Sequence, residues 1–160
     1  MKQSSKNILI VVALLTFMLI GYFVLHQPQP PDQAQIVSQI EALRLAGQAR
    51  SVGGIMSLVS ADYQDGNGFN PVSLRFFLNR EARGEGPVQV ATSIPTVTIH
   101  GDTAVSVTHV TVATQPDNQT VFDRDVTLYW KREEGKKYFV VPTPVWRIVK
   151  ADGYGSFGGE

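Results

Sequence analysis

The chain has 160 residues, 14 basic and 14 acidic side chains, 43% hydrophobic residues and no cysteine. That length and polarity suit one globular domain with an appendage. The absence of cysteine excludes disulfides, thiolate metal sites and a cysteine nucleophile. With Lys2 and Lys6 set aside, residues 32–160 hold 12 basic against 14 acidic groups, a balance that argues against a large nucleic-acid footprint and against a polybasic lipid-binding surface.

Residues 1–7 read as a cytoplasmic N-terminus. Residues 8–25, ILIVVALLTFMLIGYFVL, carry no charge and as a helix would extend about 27 Å, enough for a hydrocarbon core. The flank after Leu25 lacks a small-x-small cleavage site, so an uncleaved anchor is favoured over a signal peptide. Lys2 and Lys6 precede the segment and the next basic residue is Arg44, which places the N-terminus in the cytoplasm and the domain periplasmic or extracellular. The linker over 26–35 is rich in Pro and Gln, and Pro28, Pro30 and Pro31 make it a short semi-rigid spacer.

The domain proper is expected over 36–150. Asp32 is the expected cap of a first helix whose apolar stripe is Ile36, Ile40, Leu43 and Gly47. Ser51 caps a short second helix bearing Val52, Ile55, Met56 and Val59. Asp65-Gly66-Asn67-Gly68 breaks the chain without the ligand pattern of a calcium loop. Asn70-Pro71 starts a third helix with Leu74, Phe77 and Leu78 on one face. From Val88 the period changes to two. Four long strands are expected, with a bend at Ser93-Ile94-Pro95 and a second phase slip near His109. The last two form a hairpin turning at Glu133-Glu134-Gly135, with Trp130 on its apolar face. Pro142 and Pro144 make the final strand an edge or bulged one. The tail over 151–160 is Gly-rich and reads as flexible. The fold class is therefore α+β, with three helices on one face of a curved, mainly antiparallel four-stranded sheet.

This order resembles the NTF2-like (SnoaL-like) superfamily, a cone of helices wrapped by a bent sheet. The likeness rests on Gly47-Gln48-Ala49-Arg50, Ile55-Met56-Ser57-Leu58-Val59, Ser60-Ala61-Asp62-Tyr63, the turn at Ile99 to Ala104, and Trp146-Arg147-Ile148-Val149. It implies that Trp146 closes the cone and that any active site lies in the cone. Its isomerases use an inward carboxylate with phenol or carboxyl donors. The candidates here are Asp62, Tyr63, His109 and Arg124, with Phe77, Trp130 and Trp146 as lining residues. Each has a plainer reading: Asp62-Tyr63 as a helix exit, His109 as a solvated residue, Arg124 as an ion-pairing partner of Asp123 and Asp125.

No complete isomerase set can be assembled from these residues. The three histidines have no metal-ligand spacing, so neither a metal nor another cofactor is expected. The favoured function is a non-enzymatic interaction or assembly module, anchored through 8–25 and outside the cytoplasm. It would self-associate as a homodimer, or meet an envelope partner, through the outer sheet face of Asp123, Asp125, Thr127 and Tyr129. The alternative is a small-molecule binder or isomerase/lyase. The two differ in whether the cone is solid or hollow, and the aromatic content favours solid.

Overall fold

The computed structural model describes residues 14–18, 22, 30–84, 86–137 and 141–154, with only the backbone at 136, 137, 141 and 142. Of the apolar segment 8–25, only 14–18 and 22 are described, as helix; the rest of that expected span lies outside the described residues. Among the described residues no helix is long and apolar enough to cross a membrane.

Helix α1 spans Asp32–Gln48, α2 Val52–Met56 and α3 Pro71–Glu81. The Ser51 side chain accepts from Gly54 N, and the Asn70 side chain accepts from Val72 N and Ser73 N, so both expected caps are present. Asp32 is not the cap of α1. Pro31 holds that position without a side-chain bond, and Asp32 lies in the first turn. Its carboxylate is drawn instead to the sheet, where it accepts from the Arg132 guanidinium and, at 3.2 Å, from Trp146 Nε1. At the other end of α1, Arg50 takes a positive φ of 51° and Ser51 N bonds back to Ala46 O. This reversal lays α2 beside α1.

The sheet has five strands: β1 (Val88–Thr92), β2 (Thr96–His100), β3 (Thr103–Thr114), β4 (Gln119–Lys137) and β5 (Val141–Asp152). The order is β1-β3-β4-β5, all antiparallel, with β2 also on β3. The expected four strands become five because the first breaks in two. β1 pairs with Val110–Thr114 and β2 with Thr103–Val107 along one edge of β3. Ser93 stitches the gap: its N donates to His109 O at 2.9 Å, and its Oγ accepts from His109 N at 2.9 Å. A side chain thus replaces a ladder bond where Pro95 interrupts the strand. The slip expected near His109 falls instead between Val112 and Ala113.

Glu133 to Gly135 do not turn. They continue β4, with Gly135 opposite Thr143; residues 138–140, between β4 and β5, lie outside the described residues. Gly135 serves close approach: a Cβ there would meet Val145 Cγ1 at 2.8 Å. β5 is the edge strand that Pro142 and Pro144 imply. It is covered by the segment after α2: Ser60 N donates to Ile148 O and Ile148 N to Leu58 O, both at 2.9 Å.

The core gathers where α1 begins. Ile36, Ile40, Trp130, Trp146, Leu128 and Ile148 are buried there, and each indole is only 1% exposed. Ala104, Ser106 and Thr108 on β3, Leu128 and Trp130 on β4, and Trp146 and Ile148 on β5 face inward. Trp130 Nε1 donates to Ser106 Oγ at 2.8 Å, and Arg132 lies over the Trp146 ring at 5.0 Å. Among the described residues, side chains fill this end of the cone. The strand also runs past residue 150 to Asp152, and Tyr154 folds back to bond Asp65, so the first residues of the expected tail belong to the body.

Candidate functional site

The α1 stripe is filled by Ile36 and Ile40 at the narrow end and by Gly47 at the wide one. A residue without a side chain leaves space there. A hollow of about 470 Å³ opens between the C-terminal end of α1, α2, α3 and strands β1, β3 and β4. Gly47, Ile55, Leu78, Val90 and Val112 line it, with Arg50 and Glu81 at its rim. A second hollow of about 240 Å³ shares Gly47, Ile55 and Leu78 and is lined further by Leu74, Phe77 and Tyr63. A third, of about 90 Å³, lies beyond Leu43 and Leu128. The expectation of a solid cone is therefore half correct: aromatic residues fill the apex, and the mouth is hollow.

The rim charges are engaged. The Arg50 guanidinium donates to Glu81 O at 3.1 Å and to Gly86 O at 2.9 Å, tying α1 to the end of α3. Inside, the polar groups of the second hollow are two phenols, those of Tyr63 and Tyr154. Both donate to Asp65 Oδ2, Tyr63 at 2.9 Å. Asp65 Oδ1 accepts from Asn67 N at 2.9 Å and from Phe69 N at 3.0 Å. Asp65 is 7% exposed. Burial pushes its pKa up, but the bonds from Tyr154, Phe69 N, Tyr63 and Asn67 N outweigh that, and the carboxyl titrates below its ordinary 3.8. Burial, then the bond to Asp65, holds the Tyr63 phenol well above its ordinary 10. The cluster is a fixed carboxylate with two neutral phenols spent on it, a clasp for the 64–69 loop.

The sign of the linkage follows. A carboxyl with a depressed folded-state pKa contributes stability above its unfolded value near 3.9, lost as pH falls through the folded value. Asp65→Asn should cost about 1–3 kcal/mol at neutral pH, because buried donors lose their acceptor. It should also flatten the acid limb of stability, which urea melts from pH 5 downward would show.

The sequence candidates are scattered. Tyr63 and Phe77 line the second hollow. Trp130 and Trp146 are core residues and line none of the three. Asp62 is exposed, 3.7 Å from Lys131 Nζ. Arg124 is exposed. His109 lies on the outer sheet face, with Nδ1 2.8 Å from Asp125 and Nε2 2.8 Å from Asp123. Thr111 Oγ1 donates to the same Asp123 oxygen at 2.8 Å. Asp62, His109 and Arg124 therefore do not meet Tyr63 in the cavity. The residues that sequence reasoning missed are Gly47, Arg50, Asp65 and Tyr154. Only Gly47 carried a signal, as the smallest member of an apolar stripe.

The bonds to Asp125 and then Asp123 raise the His109 pKa above its ordinary 6.5. A raised folded-state pKa gives a contribution fully present below about 6.5 and lost as pH rises through the folded value. An imidazole NMR titration should place the His109 midpoint above 6.5. Asp123→Asn with Asp125→Asn should return it to the ordinary value.

A helix trio against a strongly bent antiparallel sheet, hollow at its wide end, is a recurrent architecture. The chain has an NTF2-like fold. An NTF2-like protein of unknown function from Pseudomonas putida KT2440 superposes with a TM-score of 0.62 at 17% identity, over 79% of this chain and 88% of that one. A hexachlorocyclohexane dehydrochlorinase, type 2, gives 0.58 at 16%, over 76% and 82%. Bd1075 of Bdellovibrio bacteriovorus gives 0.58 at 15% over 71% of this chain, which spans 38% of that protein. No family model and no curated protein matches the sequence. At these identities the likeness is one of NTF2-like fold alone.

Proposed function

We propose that this chain is a membrane-tethered, non-enzymatic binding module that takes an apolar small molecule into the mouth of its NTF2-like cone. One observation carries the reading: two adjoining hollows of about 470 and 240 Å³ share the apolar walls Gly47, Ile55 and Leu78. Those volumes lie in or near the usual ligand range of about 300–1,000 Å³. Affinity there would come from apolar area removed from water, about 25 cal/mol per Å². The engagement of both wall phenols by Asp65 supports binding over acid–base catalysis, since each phenol proton is already committed.

The tether is residues 8–25, with residues 1–7 cytoplasmic and the domain outside the cytoplasm. The uncharged run and the lysines before it support this, as does the helical, exposed state of Leu14, Leu15, Phe17 and Met18. An acyl chain or a similarly elongated molecule suits two adjoining apolar hollows. The test is displacement of a fluorinated fatty acid from the full chain in nanodiscs, followed by ¹⁹F NMR. A bound signal that excess unlabelled fatty acid removes supports the reading. A signal no larger than that of empty nanodiscs overturns it. Alkaline carbonate extraction tests the tether separately: the chain should stay with the membrane pellet.

A further inference from the structure

Helix α3 has a second face that the core does not use. Leu74 is buried, and Phe77 and Leu78 line the hollows. On the opposite side Val72, Arg75, Phe76 and Asn79 follow the spacings of a helical stripe; Arg80 borders it, its guanidinium 5.3 Å from the Phe77 ring, and Arg83 extends it in the turn just past the helix end at Glu81. All six are exposed; Val72 is 79% and Phe76 76% exposed. Two apolar side chains one turn apart, ringed by three arginines, recur nowhere else among the described residues. Between residues 71 and 84 the only acid is Glu81, whose carboxylate pairs with Arg80 Nε at 3.1 Å. The domain balance is negative, yet this stripe is positive.

We propose that this face of α3 docks on the surface of an anionic lipid bilayer. Charge complementarity favours that occupant: arginines meet lipid phosphates while Val72 and Phe76 enter the acyl boundary. Arginine suits this role because its donors remain charged and reach phosphate oxygens in pairs. The tether supplies proximity. Six residues, 26–31, can span at most about 21 Å whatever their conformation, so a domain tethered through 8–25 stays near the bilayer and a weak contact suffices. The stripe also lies one helix diameter, about 10 Å, from the hollow. If the hollow takes apolar molecules as argued above, docking sets its wall against a membrane that holds them. The docking itself rests on the stripe and on the tether reading.

The cysteine-free chain allows one label at a time. The full chain would be reconstituted with an environment-sensitive dye at Asn79→Cys or, as a control on β2, at Thr98→Cys. Vesicles of phosphatidylcholine alone would be compared with vesicles containing phosphatidylglycerol. Phosphatidylglycerol should shift the dye at position 79 to the blue and make it quenchable by lipid-borne nitroxides. The dye at position 98 should stay in water. Neutralisation by Arg75→Gln and Arg83→Gln should weaken docking about fivefold per arginine, and about 0.5 M salt should act likewise. Val72→Ser with Phe76→Ser should lose the blue shift while thermal melts stay unchanged. A dye at 79 that remains aqueous in both lipids overturns the proposal. So does protection that persists in detergent and fades on protein dilution, which would mark a second copy as the occupant. Flotation separates this from failure of the tether: a chain that does not float with phosphatidylcholine vesicles lacks its anchor, and its flotation with phosphatidylglycerol then reports α3 alone.

Discussion

Trp130→Ala should lower the unfolding free energy by about 3–5 kcal/mol, among the largest effects a single substitution can have in this chain. The indole is 1% exposed and sits where α1 meets the sheet, so truncation leaves a cavity that Ile36, Ile40 and Trp146 border on little slack. It also strands Ser106 Oγ, a fully buried hydroxyl that accepts from the indole N–H at 2.8 Å. Domains of this size are stable by about 5–15 kcal/mol, so the variant would approach unfolding at physiological temperature. Trp130→Phe separates the two contributions. It keeps most of the apolar volume and loses the donor, and should cost about 1–3 kcal/mol for the orphaned hydroxyl. Adding Ser106→Ala should recover part of that loss, a coupling that a double-mutant cycle reads directly. Removing Trp130 leaves Trp146 as the sole tryptophan, so urea melts followed by its emission report on the apex itself. Equal stability of Trp130→Ala and the parent would refute the solid apex.

The parts of the fold legible in the sequence are those written in local chemistry. Ser51 and Asn70-Pro71 announce their helices because a short polar side chain before an apolar stripe has few other uses. The strand break at Ser93 to Pro95 shows as a change of phase, since one extra residue moves every later side chain to the other face. What local pattern does not contain is partnership at a distance. Asp32 has the right identity and place for a cap, yet Arg132 and Trp146, a hundred residues on, compete for it and win. Glu133 to Gly135 has turn composition, but strand pairing opposite Thr143 overrides it. Tyr154 lies in a glycine-rich tail whose composition says mobile, and one bond to Asp65 holds it to the body. The hollow escaped for a different reason. A void depends on how far α1 and α3 stand off the sheet, and residue types fix what fills a space without fixing how much space there is. His109 and Arg124 interrupt apolar strands and so drew notice, yet both end up exposed.

Gly47→Leu should abolish binding in the hollow while leaving the fold as stable as before or slightly more so. Gly47 lies inside α1, one residue before its end, and borders both larger hollows. Its backbone is not in the left-handed region, and a Cβ there would meet only Val90 Cγ2, at 3.9 Å. Replacing a helical glycine by alanine gains about 0.5–1 kcal/mol, because the unfolded chain loses freedom it would otherwise have to give up. Leucine keeps much of that gain and projects its branched end into the space between Ile55 and Leu78. The substitution therefore separates two explanations that most cavity mutations confound. Were the hollow merely loose packing, filling it would raise stability by the buried apolar area and change nothing else. Were it a binding site, the same change would remove the displaceable fatty-acid signal. Gly47→Ala serves as the intermediate: it should share the stability gain in urea melts and retain binding, since one methyl occupies little of about 470 Å³. A Gly47→Leu protein that binds as the parent does would place the ligand elsewhere and defeat the reading of the mouth as the site. A variant that loses both binding and more than about 1 kcal/mol would show overpacking instead; Ile55→Trp, entering the same space from α2, would then decide between blockage and strain.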